Sequence, residues 1–265
     1  FYDIGIAEQH GVTFSAALAL SGLRPFVAIY STFLQRAYDQ LLLDVCLQEL
    51  PVVFAVDRSG IVGQDGPTHN GAFDLTYFRH MPNMIVMAPK DEDELRHMLY
   101  SAYLWEKTAA IRYPRGKAQG VPMDGPLREI PFGTWEILRE GGDVAIIACG
   151  NTVYPALAAA SELERRDIRC TVVNGRFVKP LDLKTLGQVA SRTPRIVTVE
   201  ENSLIGGFGA AGLEGLSQLS LCVPVRTMGM PDTFLPHGSQ TALRRALGLD
   251  AAGIAEGVYR WLRSE

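Results

Sequence analysis

Residues 25–57 of the 265-residue chain read PFVAIYSTFLQRAYDQLLLDVCLQELPVVFAVD, and they predict a strand, a helix and a second strand in succession. The two outer runs, Pro25–Tyr30 and Val52–Asp57, are short and apolar. The middle run, Phe33–Leu50, is long enough for a helix and has apolar residues at helical spacing. Strands that are apolar on both faces and joined by helices are typical of a parallel sheet covered on both sides.

The same alternation continues on both sides of this unit. Further strands are predicted at Asp3–Ala7, Met84–Ala88 and Ala110–Tyr113, with helices at Gln9–Leu20, Ala72–His80 and Glu92–Glu106. The Gly- and Pro-rich segment from Gly116 to Gly133 has no sustained periodicity and predicts a linker. A second series follows, with strands at Val144–Ala148, Cys170–Asn174, Ile196–Glu200 and Val223–Met228 and helices at Tyr154–Arg166, Leu183–Arg192, Gly209–Leu219, Gln240–Leu247 and Ala251–Arg263. We therefore predict an α/β protein of two three-layer α/β/α domains with mostly parallel sheets, at residues 1–125 and 126–265.

Composition excludes several classes of protein. The 25 Lys and Arg residues against 29 Asp and Glu residues give a net charge of -4, which argues against a nucleic-acid-binding protein. No run of about 18 apolar residues is free of charge, so no membrane-spanning helix is predicted. The four cysteines are scattered without metal-ligand spacing, which favours buried reduced thiols and a cytoplasmic location. Because the chain begins at Phe1 without an initiator Met, we expect it to be part of a longer protein.

A carboxylate and an aromatic ring follow the first two predicted strands. Glu8 comes directly after the first strand, and Phe33 and Arg36 lie just beyond the second. Open α/β sheets bind ligands at the carboxyl ends of their strands, which makes these residues candidates for a site. Position alone favours simpler interpretations, with Glu8 as an acid at a helix N-terminus and Phe33 as a core residue.

Residues 57–74, DRSGIVGQDGPTHNGAFD, form a long polar loop that contains Arg58, Asp65, His69 and Asp74. Loops longer than about 12–15 residues inside a compact domain are usually functional, and a His among glycines favours that interpretation here. A second motif, RYPRG, places Arg115 at the end of the last strand of the domain. A guanidinium there is suited to a phosphate or carboxylate, although it could also cap backbone carbonyls.

Gly207, Gly209 and Gly212 have the G-x-G-x-x-G spacing of a dinucleotide site, and Asp232 follows about twenty residues later. The motif comes late in its domain, and a loop separates it from its strand. We therefore favour a close-packed helix start over a nucleotide site.

Together the segments AEQHGVTFSAALALSG, YSTFLQRAYDQ, DRSGIVGQDGPTHNGAFD, RYPRG and GRFVKPLD resemble the 1-deoxy-D-xylulose-5-phosphate synthase family of transketolase-like enzymes. The resemblance covers essentially the whole chain and implies a pyrimidine-binding domain followed by a transketolase C-terminal-like domain. It also implies the cofactors thiamine diphosphate and Mg²⁺. No metal ligand is predicted in this chain, because the family's diphosphate and Mg²⁺ motif lies in an N-terminal domain that this sequence does not contain.

The resemblance assigns roles to individual residues. Glu8 matches the glutamate that shares a proton with N1′ of the aminopyrimidine ring, Phe33 matches the aromatic stacked on that ring, and Tyr30 lies beside it at the cofactor and substrate. Arg58 and Arg115 match the arginines that hold a substrate phosphate. Asp65 and His69 match polar residues at the substrate end, where His69 is suited to moving a proton. Arg36 is assigned to the cofactor side and, with Asp74, to organising the site, whereas Glu200–Glu201 and the HGSQ segment at 237–240 are interpreted as structural.

The activity implied by the resemblance is the decarboxylating condensation of pyruvate with D-glyceraldehyde 3-phosphate to 1-deoxy-D-xylulose 5-phosphate, which supplies isoprenoid, thiamine and pyridoxal synthesis. The implied partners are a second copy of the chain and the N-terminal domain of the same parent chain. Transketolase and the β subunit of a 2-oxoacid dehydrogenase are alternatives with a similar layout. A catalytically silent fragment that only dimerises is a further alternative from another class.

Overall fold

A computed structural model describes residues 1–264 of the chain. Across these residues the strands are β1 (Phe26–Tyr30), β2 (Val53–Asp57), β3 (Ile85–Met87), β4 (Ala109–Arg112), β5 (Glu136–Arg139), β6 (Val144–Ala148), β7 (Cys170–Asn174), β8 (Phe177–Lys179), β9 (Ile196–Ser203) and β10 (Val225–Met230). The helices are α1 (Glu8–Leu20), α2 (Ser31–Leu34), α3 (Tyr38–Gln40), α4 (Asp74–Arg79), α5 (Glu92–Trp105), α6 (Val153–Glu164), α7 (Leu183–Arg192), α8 (Phe208–Gln218), α9 (Gln240–Leu247) and α10 (Ala251–Leu262).

The strands form two sheets, in the orders β1-β2-β4-β3-β8 and β10-β9-β6-β7-β5. All pairings are parallel except those of β8 with β3 and β5 with β7. Every residue of β3, β4, β6 and β7 is buried, as expected for strands covered by helices on both faces. The prediction of two α/β domains with mostly parallel sheets is confirmed.

Two short strands were not predicted, and both are antiparallel edges. β5 lies at the edge of the second sheet, whereas β8 comes from the second half of the chain and completes the first sheet. β8 has only three residues and is followed by Pro180, so it lacks the apolar run that identifies a central strand. The domain boundary between residues 125 and 126 stays a prediction. The two halves of the chain are interlocked by β8, which comes from the second half and pairs with β3 of the first.

Two other predictions about local structure were wrong. The segment Asp3–Ala7 is not a strand, because Gly5 has a φ of 61° and its N–H donates to the Asp3 carboxylate over 2.9 Å, which turns the chain. The predicted helix Phe33–Leu50 is instead an irregular series that includes α2, α3 and a π-helix at Leu41–Cys46. Its apolar spacing is helical, but the ladder of hydrogen bonds changes along its length.

The apolar core crosses the domain boundary. One buried cluster is centred on the first sheet and includes Phe177 and Phe208 from the second half of the chain. The other is centred on the second sheet and includes Ile61 and Ala72 from the loop after β2. Both ends of that loop are thus anchored in the second domain. Among residues 1–264, no helix combines the length and apolar character needed to cross a membrane.

Candidate functional site

The candidate residues lie where β1, β2 and β4 end. These strands are neighbours and parallel, and their register aligns Tyr30 with Asp57 and Val56 with Arg112. The carboxyl ends of parallel strands meet at one edge, so the segments that come after them converge there. This edge carries Phe33 and Arg36 after β1, the loop 58–73 after β2, and Arg115 after β4.

Glu8 lies on the wall of a cavity of about 870 Å³ that Tyr30, Phe33 and Arg36 also line. It is the first residue of α1, where the free N–H groups of the helix favour a negative charge. Its residue is only 7% exposed, and its Oε2 atom is buried without a hydrogen-bond partner among the described residues. The nearest cation is Arg36, whose Nη1 lies 3.9 Å from Oε2. A buried carboxylate oxygen without a hydrogen-bond donor costs free energy, and a ligand in the cavity is suited to supply that donor.

Aromatic rings and a guanidinium form a continuous stack beside Glu8. The Tyr30 and Phe33 rings are stacked, with centroids 5.2 Å apart and planes 18° apart. His69 meets the Phe33 ring edge-on at 5.5 Å, and the Arg58 guanidinium lies 3.7 Å from the centroid of the Tyr30 ring. Phe33 is half-buried, packs against the core and lines the cavity, and its stacking on a ligand ring stays a prediction.

The two arginines assigned to a phosphate have different carboxylate partners. Arg58 has a left-handed backbone, with a φ of 58°, and its N–H donates to Asp57 Oδ1 over 2.6 Å while its Nη1 donates to Asp57 Oδ2. Arg115 donates to Asp65 Oδ2 over 2.7 Å. Each side chain is partly exposed and is oriented by its carboxylate partner.

The tip of the loop 58–73 is attached to α2. The Thr32 hydroxyl donates to the Thr68 carbonyl over 2.9 Å, which brings the neighbouring His69 against Phe33. The Nδ1 atom of His69 lies 2.9 Å from the Thr68 hydroxyl. His69 is therefore held through one ring nitrogen and by ring contact, which leaves Nε2 for other partners.

Asp74 lies below the site rather than in the cavity. It is fully buried and accepts from Arg112 Nε and Nη2, both over 3.0 Å. Burial disfavours the charged guanidinium, but the Asp74 carboxylate raises the pKa of Arg112 above its ordinary value. Asp74 was a candidate from the sequence, whereas Arg112 was not, although Arg112 opens the RYPRG motif. The Asp74–Arg112 pair stabilises the edge of the first sheet at which Arg58 follows β2 and Arg115 follows β4.

The glycine motif after β9 binds the chain's own carboxylate. Glu200 accepts from the N–H groups of Phe208 and Gly209, each over 2.7 Å, at the start of α8. Burial raises the pKa of this carboxyl to about 7. A Cβ at position 209 would lie 2.7 Å from the Thr198 hydroxyl. The close-packed helix start is confirmed, because the place of a pyrophosphate is filled by Glu200.

The geometry around Glu8 fits one end of the thiamine diphosphate site that the resemblance implies. Glu8, with its buried unpartnered oxygen, and the stacked Phe33 suit an aminopyrimidine ring that carries both a nitrogen and a flat face. No cluster of three or more His, Cys, Asp or Glu side chains suited to a metal occurs in residues 1–264.

Comparisons with known proteins agree with this geometry. Residues 1–120 match the family described as "Transketolase, pyrimidine binding domain", and residues 133–254 match "Transketolase, C-terminal domain". The chain is 59% identical to 1-deoxy-D-xylulose-5-phosphate synthase 1 of Geobacter sulfurreducens, over all of this chain and 42% of that protein. It is 57% identical to the synthase of Thermomicrobium roseum, over 99% of this chain and 42% of that protein.

A solved structure of a chain of similar length has the same fold. The structure titled "Split gene transketolase, inactive beta4 tetramer" is 32% identical and superposes with a TM-score of 0.90, covering 99% of this chain and 84% of that one. The chain spans about two-fifths of the length of the curated relatives that it matches. It belongs to the transketolase family, and it corresponds to the pyrimidine-binding and C-terminal domains of the 1-deoxy-D-xylulose-5-phosphate synthases.

Proposed function

We propose that this chain, joined to the N-terminal part of its parent protein, condenses pyruvate with D-glyceraldehyde 3-phosphate to give 1-deoxy-D-xylulose 5-phosphate and CO2. The observation that carries the proposal is the buried, unpartnered Oε2 of Glu8 on the wall of a cavity beside the Tyr30–Phe33 stack. The identity of 57–59% to synthases over nearly the whole chain supports this substrate pair over others. The product would feed isoprenoid, thiamine and pyridoxal synthesis.

The cofactor in this proposal is thiamine diphosphate, which supplies the carbanion-stabilising chemistry that decarboxylation of a 2-oxo acid requires. Glu8 would share a proton between its Oε2 and N1′ of the pyrimidine ring, and Phe33 would support the face of that ring. Arg36 Nη1, 3.9 Å from Glu8 Oε2, is the cation beside this carboxylate. We assign Mg²⁺ and the diphosphate to the N-terminal part of the parent protein.

The phosphate of the acceptor aldehyde is assigned to the Arg58 end of the stack. Arg58 and Arg115 bind its phosphate through planar guanidinium groups, each already oriented by a carboxylate. In the condensation a carbon–carbon bond forms at the aldehyde carbon, and its oxygen takes up a proton to become a hydroxyl. His69, held through Nδ1 and against Phe33, is placed to deliver that proton from Nε2, and Asp65 and Tyr30 orient the acceptor.

We also propose that the parent protein is a cytoplasmic homodimer. The solved relative is described as an inactive beta4 tetramer, which supports self-association of this pair of domains. The inactivity of that tetramer supports a need for further chain before activity appears. The cysteines Cys46, Cys149 and Cys170 are free and buried and Cys222 is free and exposed, which suits a reducing compartment.

The test is carbon-13 NMR of labelled pyruvate with Mg²⁺, thiamine diphosphate and D-glyceraldehyde 3-phosphate, using the full parent protein. We expect labelled CO2 and 1-deoxy-D-xylulose 5-phosphate, and a Glu8→Gln variant should be slower by a factor of about 10²–10⁴. Glu140→Gln, an exposed and chemically identical change, should leave the rate unchanged. Turnover of a ketose phosphate donor without CO2 release would favour transketolase, and cofactor binding without turnover would favour a silent assembly module.

A further inference from the structure

The loop 58–73 is held at one residue by side chains of the other domain. Ile61 is fully buried in the core of the second domain, although it lies only four residues after the end of β2. Its N–H donates to Glu201 Oε2 over 3.0 Å, and its carbonyl accepts from Gln240 Nε2 over 2.6 Å. Both main-chain groups and the side chain of Ile61 are therefore fixed by the second domain rather than by the sheet that carries the loop.

Gln240 also holds a second segment of the candidate site. Its Nε2 donates to the Arg115 carbonyl over 3.0 Å, in addition to the Ile61 carbonyl. One amide group thus uses two donors to join the loop to the end of β4. The same two segments are also joined by the 2.7 Å ion pair between Arg115 and Asp65. Gln240 therefore links, through the backbone, the two segments that carry these side chains.

Glu201 lies in β9 and is held tightly against the start of the loop. It is 1% exposed and is held on its other side by Arg244, whose Nε donates to Oε1 and whose Nη2 lies 3.4 Å from Oε2. Gly60, with a φ of +81°, passes so close that a Cβ there would lie 2.5 Å from Glu201 Oε2. A buried carboxylate with this set of donors costs free energy to release, so the loop is fixed at its start.

We propose that Gln240 and Glu201 are positioning residues for the phosphate end of the acceptor site. They act through Ile61 and the Arg115 backbone, and they touch neither substrate nor cofactor. This inference rests on the proposed function for the identity of the acceptor. The ordering of the loop by Gln240 and Glu201 does not depend on that function. Gln240 bonds the start of the loop and the end of β4, whereas the loop contacts α2 through Thr68 and His69 at its tip, so we expect the cofactor end to be unaffected by replacement of Gln240.

The test uses the full parent protein with Gln240→Met, which keeps the side-chain length and a good helix former but removes both donors. Gln218→Met, on an exposed position at the end of α8, is the matched control. Hydrogen exchange of residues 59–74 should be about 5- to 30-fold faster in the Gln240 variant, as expected for two lost hydrogen bonds, and unchanged in the control. If Gln240→Met fails to fold, Gln240→Glu replaces it, since a carboxylate suits the first residue of α9 but cannot donate.

Steady-state kinetics give the second measurement. The KM for D-glyceraldehyde 3-phosphate should rise about 5- to 30-fold, with the KM for pyruvate and the affinity for thiamine diphosphate unchanged. Unchanged exchange in the loop overturns the proposal, and so does faster exchange with an unchanged KM for the acceptor. If the wild-type protein is inactive on this substrate pair but Gln240→Met still speeds hydrogen exchange in the loop, the proposed function is overturned and the positioning role is supported.

Discussion

Replacement of Arg112 by Met tests the buried ion pair beneath the site. Asp74 is fully buried and Arg112 is 3% exposed, and the two share hydrogen bonds of 3.0 Å from Nε and Nη2. Arg112→Met leaves the Asp74 carboxylate with the Ser59 hydroxyl at 2.6 Å and the Leu75 N–H at 2.9 Å, but with no cation in contact. Leaving a buried charge unpaired costs about 3–5 kcal/mol, and we expect the free energy of unfolding to fall by that amount.

Two further hydrogen bonds are lost with the guanidinium. Arg112 Nη2 donates to the Gly71 carbonyl over 3.3 Å and to the Glu201 carbonyl over 3.0 Å, so it also joins the loop to β9. These carbonyls lie in buried surroundings, and each lost bond adds to the destabilisation by about 1 kcal/mol. The expected loss therefore lies at the upper end of the range, and it should be accompanied by faster hydrogen exchange in residues 59–74.

The assay is urea unfolding at pH 7 of Arg112→Met, Asp74→Leu and the double variant, followed by circular dichroism and by tryptophan fluorescence. Because both charges are absent in the double variant, its loss should be smaller than the sum of the single losses by about 1–3 kcal/mol. Arg165→Met is the control, since Arg165 pairs with Glu162 at the surface and its side chain is 72% exposed. Its effect should stay below about 1 kcal/mol. A loss under 1 kcal/mol for Arg112→Met, or strict additivity in the cycle, would refute the reasoning.

Three other perturbations address named contacts elsewhere in the molecule. Burial raises the pKa of Glu200 from 4.5 to about 7, so its contribution to stability is full below pH 4.5 and is lost as pH rises to about 7. The free energy of unfolding of the wild-type protein should therefore contain a term that falls by roughly 3 kcal/mol between pH 4.5 and 7, and Glu200→Gln should remove this term in urea unfolding. An unchanged pH dependence in the variant would contradict the assignment. Arg58→Lys removes a planar two-pronged donor and should raise the KM for D-glyceraldehyde 3-phosphate at least about tenfold in the parent protein, whereas an unchanged KM would exclude Arg58 from the phosphate site. Gly60→Ala should be more destabilising in thermal unfolding than Gly22→Ala by about 1–3 kcal/mol, because both have positive φ but only the Gly60 Cβ would strike Glu201. Equal effects would show that the Glu201 contact yields without cost.

The sheet that carries the site could be predicted from sequence because its strands are continuous apolar runs. The largely apolar, fully buried runs at β3 and β4, like those at β6 and β7 in the second sheet, have few alternatives to a buried parallel strand, and the helices between them fix the direction. Once the strands are known, the residues just beyond their carboxyl ends are expected at one edge of the sheet. For this reason Phe33, Arg58 and Arg115 could be placed together without knowledge of any side-chain contact.

The features that the sequence concealed depend on contacts between distant residues. β8 is three residues long and exists because β3 offers it an edge, so no local pattern identifies it. Arg112 and Asp74 form a buried pair across 38 positions, and neither residue type predicts burial by itself. For Glu8, position alone favoured a helix-start acid, and the unpartnered Oε2 became evident only when the surroundings of the carboxylate were known.

The Ile61 contacts explain why the second domain belongs to the site although it supplies no residue to the cavity wall. A Gly-rich loop loses much conformational entropy when it is ordered, and here the ordering is offset by contacts that exist before any substrate arrives. Gln240 reaches Ile61 across 179 positions and Glu201 reaches it across 140, so this support forms only when the two domains are packed together. In the proposed function, a substrate phosphate would meet Arg58 and Arg115 on a loop and a strand end that are already fixed, so its binding free energy would not be spent on ordering them. Under that proposal, the interlocking of the domains through β8 and Ile61 would act on the geometry of the acceptor site as well as on the stability of the fold.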